Sequence, residues 1–298
     1  MNNDNLIANC FPDYQLLDSG SGNKLEIISG VKVVRPSPQA IWNEMVKQDS
    51  WKEATSRCIR KKDGGGTWEH KKGDPSPLQL KWKSDSEMEY LFKLKFTSFG
   101  HCGIFFEQSA IWNRVEKLIQ FQKQKKKNPV FLNLFGYTGA ASIIAAKNGA
   151  TVYHIDSAKG VLDWGRENQL LNSIPNDRIK WFHSDVIRFL QNSVKRGEKF
   201  DGILADPPSW GHGAKKEVWE FDKQIAELVE LLKKVLSNEH YFCLLSCHTH
   251  GVQNFALMNL MNQYFKNGKA VAGEVAIKHA NDSRLLPAGI YSLASDII

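Results

Sequence analysis

Five short stretches of this sequence combine residue types that can hold a ligand or move a proton. The first is Phe131-Leu132-Asn133-Leu134-Phe135-Gly136-Tyr137-Thr138-Gly139-Ala140-Ala141. An apolar run enters a glycine turn, and the turn opens a helix. Glycines let the backbone approach a ligand where a side chain would clash. The third glycine of a G-x-G-x-x-G fingerprint is missing, which weakens a dinucleotide reading, and a purely structural turn is the plain alternative. The second is Asp156, an acidic residue about 20 positions after the turn, where a carboxylate can accept hydrogen bonds from ribose hydroxyls. The third is Asp185 in His183-Ser184-Asp185-Val186. It can meet an adenine amino group while Val186 offers an apolar edge, or it can simply cap the next helix. The fourth is Asp206-Pro207-Pro208-Ser209-Trp210. Prolines stiffen the turn and fix the direction of the carboxylate and of the following carbonyl, an acceptor pair suited to an exocyclic amine or a base edge. The fifth is Leu244-Leu245-Ser246-Cys247-His248-Thr249-His250. Its thiol is a candidate nucleophile, which His248 or His250 could assist; a buried structural cysteine is the alternative.

The elements that must position these residues follow from hydrophobic periodicity. Strand patterns at 130–134, 151–155, 179–182, 201–205 and 241–246 alternate with helical patterns at 140–148, 158–172, 186–196, 221–236 and 253–265. This alternation predicts a parallel, doubly wound α/β sheet. All five stretches then fall at successive strand ends, on the edge where such sheets bind ligands. A helix over 107–126 precedes them, and the lysines that end it suit a helix C-terminus. The first hundred residues read differently. Turn signals separate short strand-like runs at 25–28, 31–34 and 90–96, with one helix expected at 39–48. The expected organisation is a small β-rich domain over 1–100, with a possible role in substrate recognition, and an α/β domain over 101–298. Trp42, Trp51, Trp68, Trp82 and Trp112 sit in or at the edge of the first segment, as core or as a nucleic-acid stacking surface.

The 298 residues carry a formal net charge of +7, with 42% hydrophobic and 24% charged residues. A pI of about 9.0 favours polyanionic partners, nucleic acid above all, although a mildly basic enzyme with no such partner has the same charge. The five cysteines include no Cys-x-x-Cys pair, so neither a disulfide framework nor a zinc knuckle is expected, and no other metal site. The start of the chain lacks the pattern of a signal peptide, and no apolar run is long enough to span a membrane. A soluble, cytoplasmic protein is expected.

These motifs resemble motifs I to IV of the class I S-adenosylmethionine (SAM)-dependent methyltransferases. Gly100-His101-Cys102-Gly103-Ile104-Phe105-Phe106-Glu107-Gln108 and Asp206-Pro207-Pro208-Ser209-Trp210-Gly211 are similar to a bacterial group related to the ribosomal RNA large-subunit methyltransferases that make 5-methylcytosine. Leu17-Asp18-Ser19-Gly20-Ser21-Gly22 and Arg35-Pro36-Ser37-Pro38-Gln39-Ala40 resemble the front domain of uncharacterised members. The ribosomal enzymes begin with a PUA-type RNA-binding domain, which is not visible here. The resemblance implies a Rossmann-like methyltransferase domain with a mostly parallel sheet. It implies SAM held by Phe106, Gln108, Asn133, Gly136, Tyr137, Thr138, Gly139, Asp156, Ser157, Asp185, Val186, Asp206 and Pro207, with ribosomal RNA as partner and Cys247 and Asp206 as catalytic residues. In the cytosine enzymes a cysteine between small hydroxyl residues carries the nucleophile at the place of Cys247; here His248 replaces the second of them.

Two chemistries follow. Methylation at cytosine C5 requires a thiolate to add to C6, after which C5 attacks the methyl group, a base removes the C5 proton and the thiol leaves. Amino methylation of a base requires no thiol: the Asp-Pro-Pro-Ser turn holds the exocyclic amine. A SAM-binding, RNA-associated factor without activity is a third reading, against which the intact Asp206-Pro207-Pro208 speaks. An NAD-dependent oxidoreductase is disfavoured by the missing glycine and by the same turn.

Overall fold

The computed structural model describes residues 4–60, 65–98, 100–213, 217–265 and 269–297. The chain divides into two compact units, one of Leu6–Ile111 with Val275–Ala288, the other of Met1–Asn5, Trp112–Glu274 and Gly289–Ile298. The division is therefore not a single cut near residue 100, because a C-terminal stretch belongs with the N-terminal unit.

The N-terminal unit opens with β1 (Leu6–Ala8), which pairs in parallel with 275–277. Strands β2 (Tyr14–Gly20), β3 (Asn23–Ile28) and β4 (Val31–Pro36) form an antiparallel meander. Helix α1 (Gln48–Lys52) leads to β5 (Ser56–Arg60), parallel to β4, and β6 (Gly66–His70) completes the five-stranded sheet. A separate hairpin joins β7 (Leu78–Lys83) and β8 (Glu89–Leu94). Leu25, Val34, Trp51 and Ala54 form a small apolar core. Beside it lies a buried polar triad: Arg35 donates to both carboxylate oxygens of Glu26 at 2.7 and 2.8 Å, and the Tyr14 hydroxyl donates to Glu26 at 2.9 Å.

The helix expected over 39–48 does not form; only α1 is helical there. The backbone N–H groups of Met45 and Val46 both donate to Oδ2 of buried Asp18, at 2.9 Å each, and the Trp42 indole donates to the Ser19 carbonyl. Asp18 takes the donors that a helical ladder would need. Of the five tryptophans, Trp51, Trp82 and Trp112 are buried as core, while Trp42 and Trp68 are half-buried.

The second unit is the α/β domain. After α2 (Ser109–Lys125) the strands are β9 (Val130–Leu134), β10 (Thr151–Asp156), β11 (Ile179–His183) and β12 (Gly202–Ala205). Between them run α3 (Ala140–Lys147), α4 (Lys159–Leu171) and α5 (Val186–Lys195). A short hairpin of β13 (Trp210–His212) and β14 (Val218–Glu220) precedes α6 (Phe221–Val235). The chain ends with β15 (Phe242–Cys247), α7 (Asn254–Tyr264), β16 (Lys269–Lys278) and β17 (Leu285–Ser295), the last two belonging to this unit only up to Glu274 and from Gly289. The sheet order is β16-β17-β15-β12-β9-β10-β11. The pairs β15–β12, β12–β9, β9–β10 and β10–β11 are parallel, and β17 is antiparallel to β15.

The parallel strands are covered on both faces, which is why β12 reads as an apolar run and β15 as one interrupted by Ser246, both buried throughout. Helix α5 buries Val186, Ile187, Phe189, Leu190 and Ser193, a 3.6-residue stripe, against that sheet. Asp185 caps it by accepting from the Arg188 amide at 2.8 Å. The parallel strands and their helices are thus those expected from the pattern. The hairpin β13–β14 and the strands β16 and β17 add to it. The sheet turns at β9, which has β10 on one side and β12 on the other. A crevice opens above the carboxyl ends of strands at such a reversal.

Candidate active site

The loop after β9 is shaped by backbone conformation. Phe135 and Tyr137 have φ of 55° and 52°, and Gly139 has 84°. Two non-glycine residues in the left-handed region within three positions mark stored strain of the kind found at ligand clamps. Gly136 is required by space: a Cβ there would lie 2.4 Å from the His154 ring. His154 is fully buried, packs against the tilted Trp181 ring with centroids 4.3 Å apart, and its Nδ1 lies 2.9 Å from the Ser142 hydroxyl. Burial holds its pKa down to about 3, so the imidazole is neutral. The Asn133 amide donates to the same Ser142 oxygen at 2.9 Å. This buried network fixes the glycine loop from below.

Asp156, at the end of β10, closes the loop from the side. One oxygen accepts from the Tyr137 amide and the other from the Ala158 amide, both at 2.9 Å. Burial pushes its carboxyl up, and the backbone donors hold it partly back. A carboxylate offers about four acceptor sites, so Asp156 keeps acceptor capacity beyond its backbone donors Tyr137, Ser157 and Ala158. Next to it, the Ser157 hydroxyl donates to the His212 carbonyl at 2.9 Å, tying the β10 loop to hairpin β13–β14.

Across the crevice stands Asp206, immediately after β12. The Ser246 hydroxyl donates to its Oδ1, and His248 Nε2 lies 3.3 Å from the same oxygen. Burial pulls this carboxyl up, but His248 and Ser246 outweigh it and hold it below the usual aspartate range. Gly289 gives the imidazole its room, since a Cβ there would be 2.7 Å from His248 Nδ1. Behind the turn, the Trp219 indole donates to the Pro208 carbonyl at 2.6 Å and packs on Phe135 at 5.1 Å. The Ser209 hydroxyl donates to Thr249 Oγ1 at 3.0 Å. An anionic acceptor thus faces a glycine loop and a carboxylate suited to a nucleoside, across one strand reversal.

A family model for S-adenosylmethionine-dependent methyltransferases matches residues 47–247. The chain belongs to the S-adenosylmethionine-dependent methyltransferase family. The crystal structure of a SAM-dependent methyltransferase from Agrobacterium tumefaciens superposes with a TM-score of 0.90 at 30% identity, over 99% of this chain and 94% of that one. Ribosomal RNA large subunit methyltransferase K of Neisseria meningitidis is 31% identical over 139 residues, 45% of this chain and 38% of its own length. The K/L enzyme of Pseudoalteromonas translucida is 28% identical over 181 residues, 60% of this chain and 24% of its own. The chain therefore spans well under half the length of these two curated relatives.

Within the methyltransferase, Gly136, Tyr137, Thr138, Gly139, Asp156, Ser157, Asp185, Asp206 and Pro207 gather at the carboxyl edge of β9 to β12. Asn133 lies below this edge, 2% exposed, in the Ser142–His154 network. Val186 is buried as the first residue of α5. Phe106 and Gln108 belong to the N-terminal unit. There Phe106 stacks on Tyr14 with ring centroids 3.8 Å apart, and Gln108 is buried.

Cys247 is 1% exposed and joins the apolar cluster of Cys243, Leu245, Leu257 and Met261. Successive strand residues face opposite ways. Ser246, which meets Asp206, and Cys247 therefore point to different faces of β15. Burial raises the thiol pKa, and the donors of Thr249 only partly offset this. His250 is exposed. The sequence reading missed the supporting roles of Ser142, His154 and Trp219. Nothing in their local sequence signals these roles, which arise from contacts across the fold.

Proposed function

We propose that this methyltransferase methylates a nitrogen of an unpaired base in RNA, held at Asp206-Pro207-Pro208-Ser209. The observation that carries this reading is the Asp206 carboxylate, kept anionic by Ser246 and His248 at the strand reversal. The net charge of +7 supports a nucleic-acid substrate, as do the names of the ribosomal RNA relatives. The fit of the cofactor rests on the acceptor capacity of Asp156 beside the glycine loop, which it holds through the Tyr137 amide. In this reading Asp156 takes the ribose hydroxyls, the Gly136–Gly139 loop takes the methionine part, and Asp185 and Val186 frame the adenine.

Bound SAM supplies an electrophilic methyl group on sulfur. Asp206 accepts a hydrogen bond from the N–H of the target base, which turns the nitrogen lone pair toward the crevice. As the nitrogen lone pair would take the methyl group, the sulfur–methyl bond would break and the sulfur leave as a neutral thioether; the positive charge growing on nitrogen faces the Asp206 carboxylate, which accepts the proton along the same hydrogen bond. Preorganisation by Trp219, Ser246 and His248 spares the turn a rearrangement at that moment. The N-terminal unit serves substrate choice, since the α/β unit alone contains the turn and both strand-end carboxylates. Cytosine C5 methylation is the second reading. It needs an accessible thiolate, and the burial of Cys247 weighs against it.

The test is transfer of radiolabelled methyl from SAM to RNA fractions of a strain lacking this protein, with nucleoside mass spectrometry of the product. An N-methylated base is expected. A 5-methylcytosine product, or label only in protein, overturns the proposal.

A further inference from the structure

Hairpin β13–β14 has two unlike faces. Trp219 and its cross-strand neighbour Gly211 look inward, where the indole is 5% exposed and bound to Pro208. Trp210, His212 and Val218 look outward. Trp210 is 58% exposed and Val218 48%, and His212 meets the Trp210 ring edge-to-face with centroids 4.5 Å apart. Leaving an indole this open forgoes the stabilisation its burial would give. The hairpin is not loosely attached. The Phe221 amide donates to the Ser209 carbonyl at 3.1 Å, and Ser157 holds the His212 carbonyl at 2.9 Å. Trp210 also follows Asp206 by four positions on the stiffened turn.

We propose that this outer face, centred on Trp210, is a stacking platform for an unpaired nucleobase that neighbours the target in single-stranded RNA. The inference rests on the RNA reading above. A base that enters at Asp206 carries its strand past the same turn, and a flat π-face fixed to that turn meets the adjoining base. Stacking accepts any base, so Trp210 contributes affinity and positioning rather than sequence choice. His212 braces the indole, and Val218 extends the apolar surface.

The probes are an unstructured RNA 12-mer, the same length of abasic strand, and a duplex of equal length. Trp210→Ala should weaken binding of the single strand roughly tenfold, and Trp210→Phe should restore most of it. Affinity for the abasic strand and for SAM should stay unchanged. Single-strand binding that survives Trp210→Ala, or an equal loss on the abasic strand, overturns the proposal. So does a change from dimer to monomer in sedimentation, which would make the face a contact between copies. The wild-type methylation assay separates the two readings. RNA methylation with no effect of Trp210→Ala on binding sinks the platform alone. Trp210-dependent RNA binding with no RNA methylation sinks the nitrogen-methylation reading alone.

Discussion

The Trp219 indole N–H donates to the Pro208 carbonyl at 2.6 Å. The donor stands on β14 and the acceptor in the turn after β12, so one side chain locks the direction of the Asp206 turn. Trp219→Phe keeps the packing on Phe135 and removes the donor. The bond is only partly buried, so its loss should cost about 1 kcal/mol. We expect a modest fall in melting temperature and a fall in kcat larger than any change in KM for SAM. Equal kinetics in the variant would show that the bond is structural only.

Asp156→Ala should weaken SAM binding by one to two hydrogen bonds, each worth roughly 1.5–3 kcal/mol. Titration calorimetry measures this directly, and unchanged affinity would remove Asp156 from the cofactor site. Because burial pushes this carboxyl up, protonation begins above the usual aspartate range. Acidification should therefore reduce SAM affinity earlier than for an exposed aspartate, and Asp156→Asn should flatten that dependence.

Cys247→Ala separates the two methylation chemistries. The thiol lies in the apolar cluster, so the variant should lose about 1 kcal/mol of stability through the small cavity. Methyl transfer should persist, and RNA carrying 5-fluorocytosine should form no covalent adduct with the wild type. Loss of turnover with SAM binding intact, together with a trapped adduct, would return the assignment to cytosine C5.

The Glu26–Arg35 pair should dominate the stability of the N-terminal unit. Burial alone would raise the Glu26 carboxyl, but Arg35 and then Lys24 bring it from 4.5 down to about 2. A depressed carboxyl contributes stability above its ordinary value and loses it as pH falls toward the folded one. The contribution of the pair should thus be lost in acid across pH 4.5 to about 2. Glu26→Gln should cost about 3–5 kcal/mol, because the arginine stays buried without its anion. Denaturant melts of the variant and of Glu26→Leu with Arg35→Met test this, the double change being milder.

His154 adds an acid limit to the α/β unit. Its pKa is lowered from 6.5 to about 3 by burial. The unfolded chain takes up a proton that the folded one refuses, so stability falls as pH drops below 6.5 and is lost by about 3. His154→Leu should remove this slope, read from the denaturant midpoint at successive pH values.

Much of this protein is legible in its sequence. Apolar runs such as Val130–Leu134 and stripes such as that of α5 encode their own geometry, because a strand buried on both faces and a one-sided helix each need a distinct period. Backbone rules likewise place Gly136, Asp156, Asp185 and Asp206 at strand ends. Tertiary structure decided the rest. The segment at 39–48 is not helical because Asp18, distant in sequence, claims its amides. Trp219 and His154 acquire their roles only where separate elements meet. Ser246 and Cys247 are neighbours in sequence with equal claims to chemistry. The pleat of β15 turns one toward Asp206 and the other into the apolar cluster of Cys243, Leu245, Leu257 and Met261, because successive strand residues face opposite sides of the sheet.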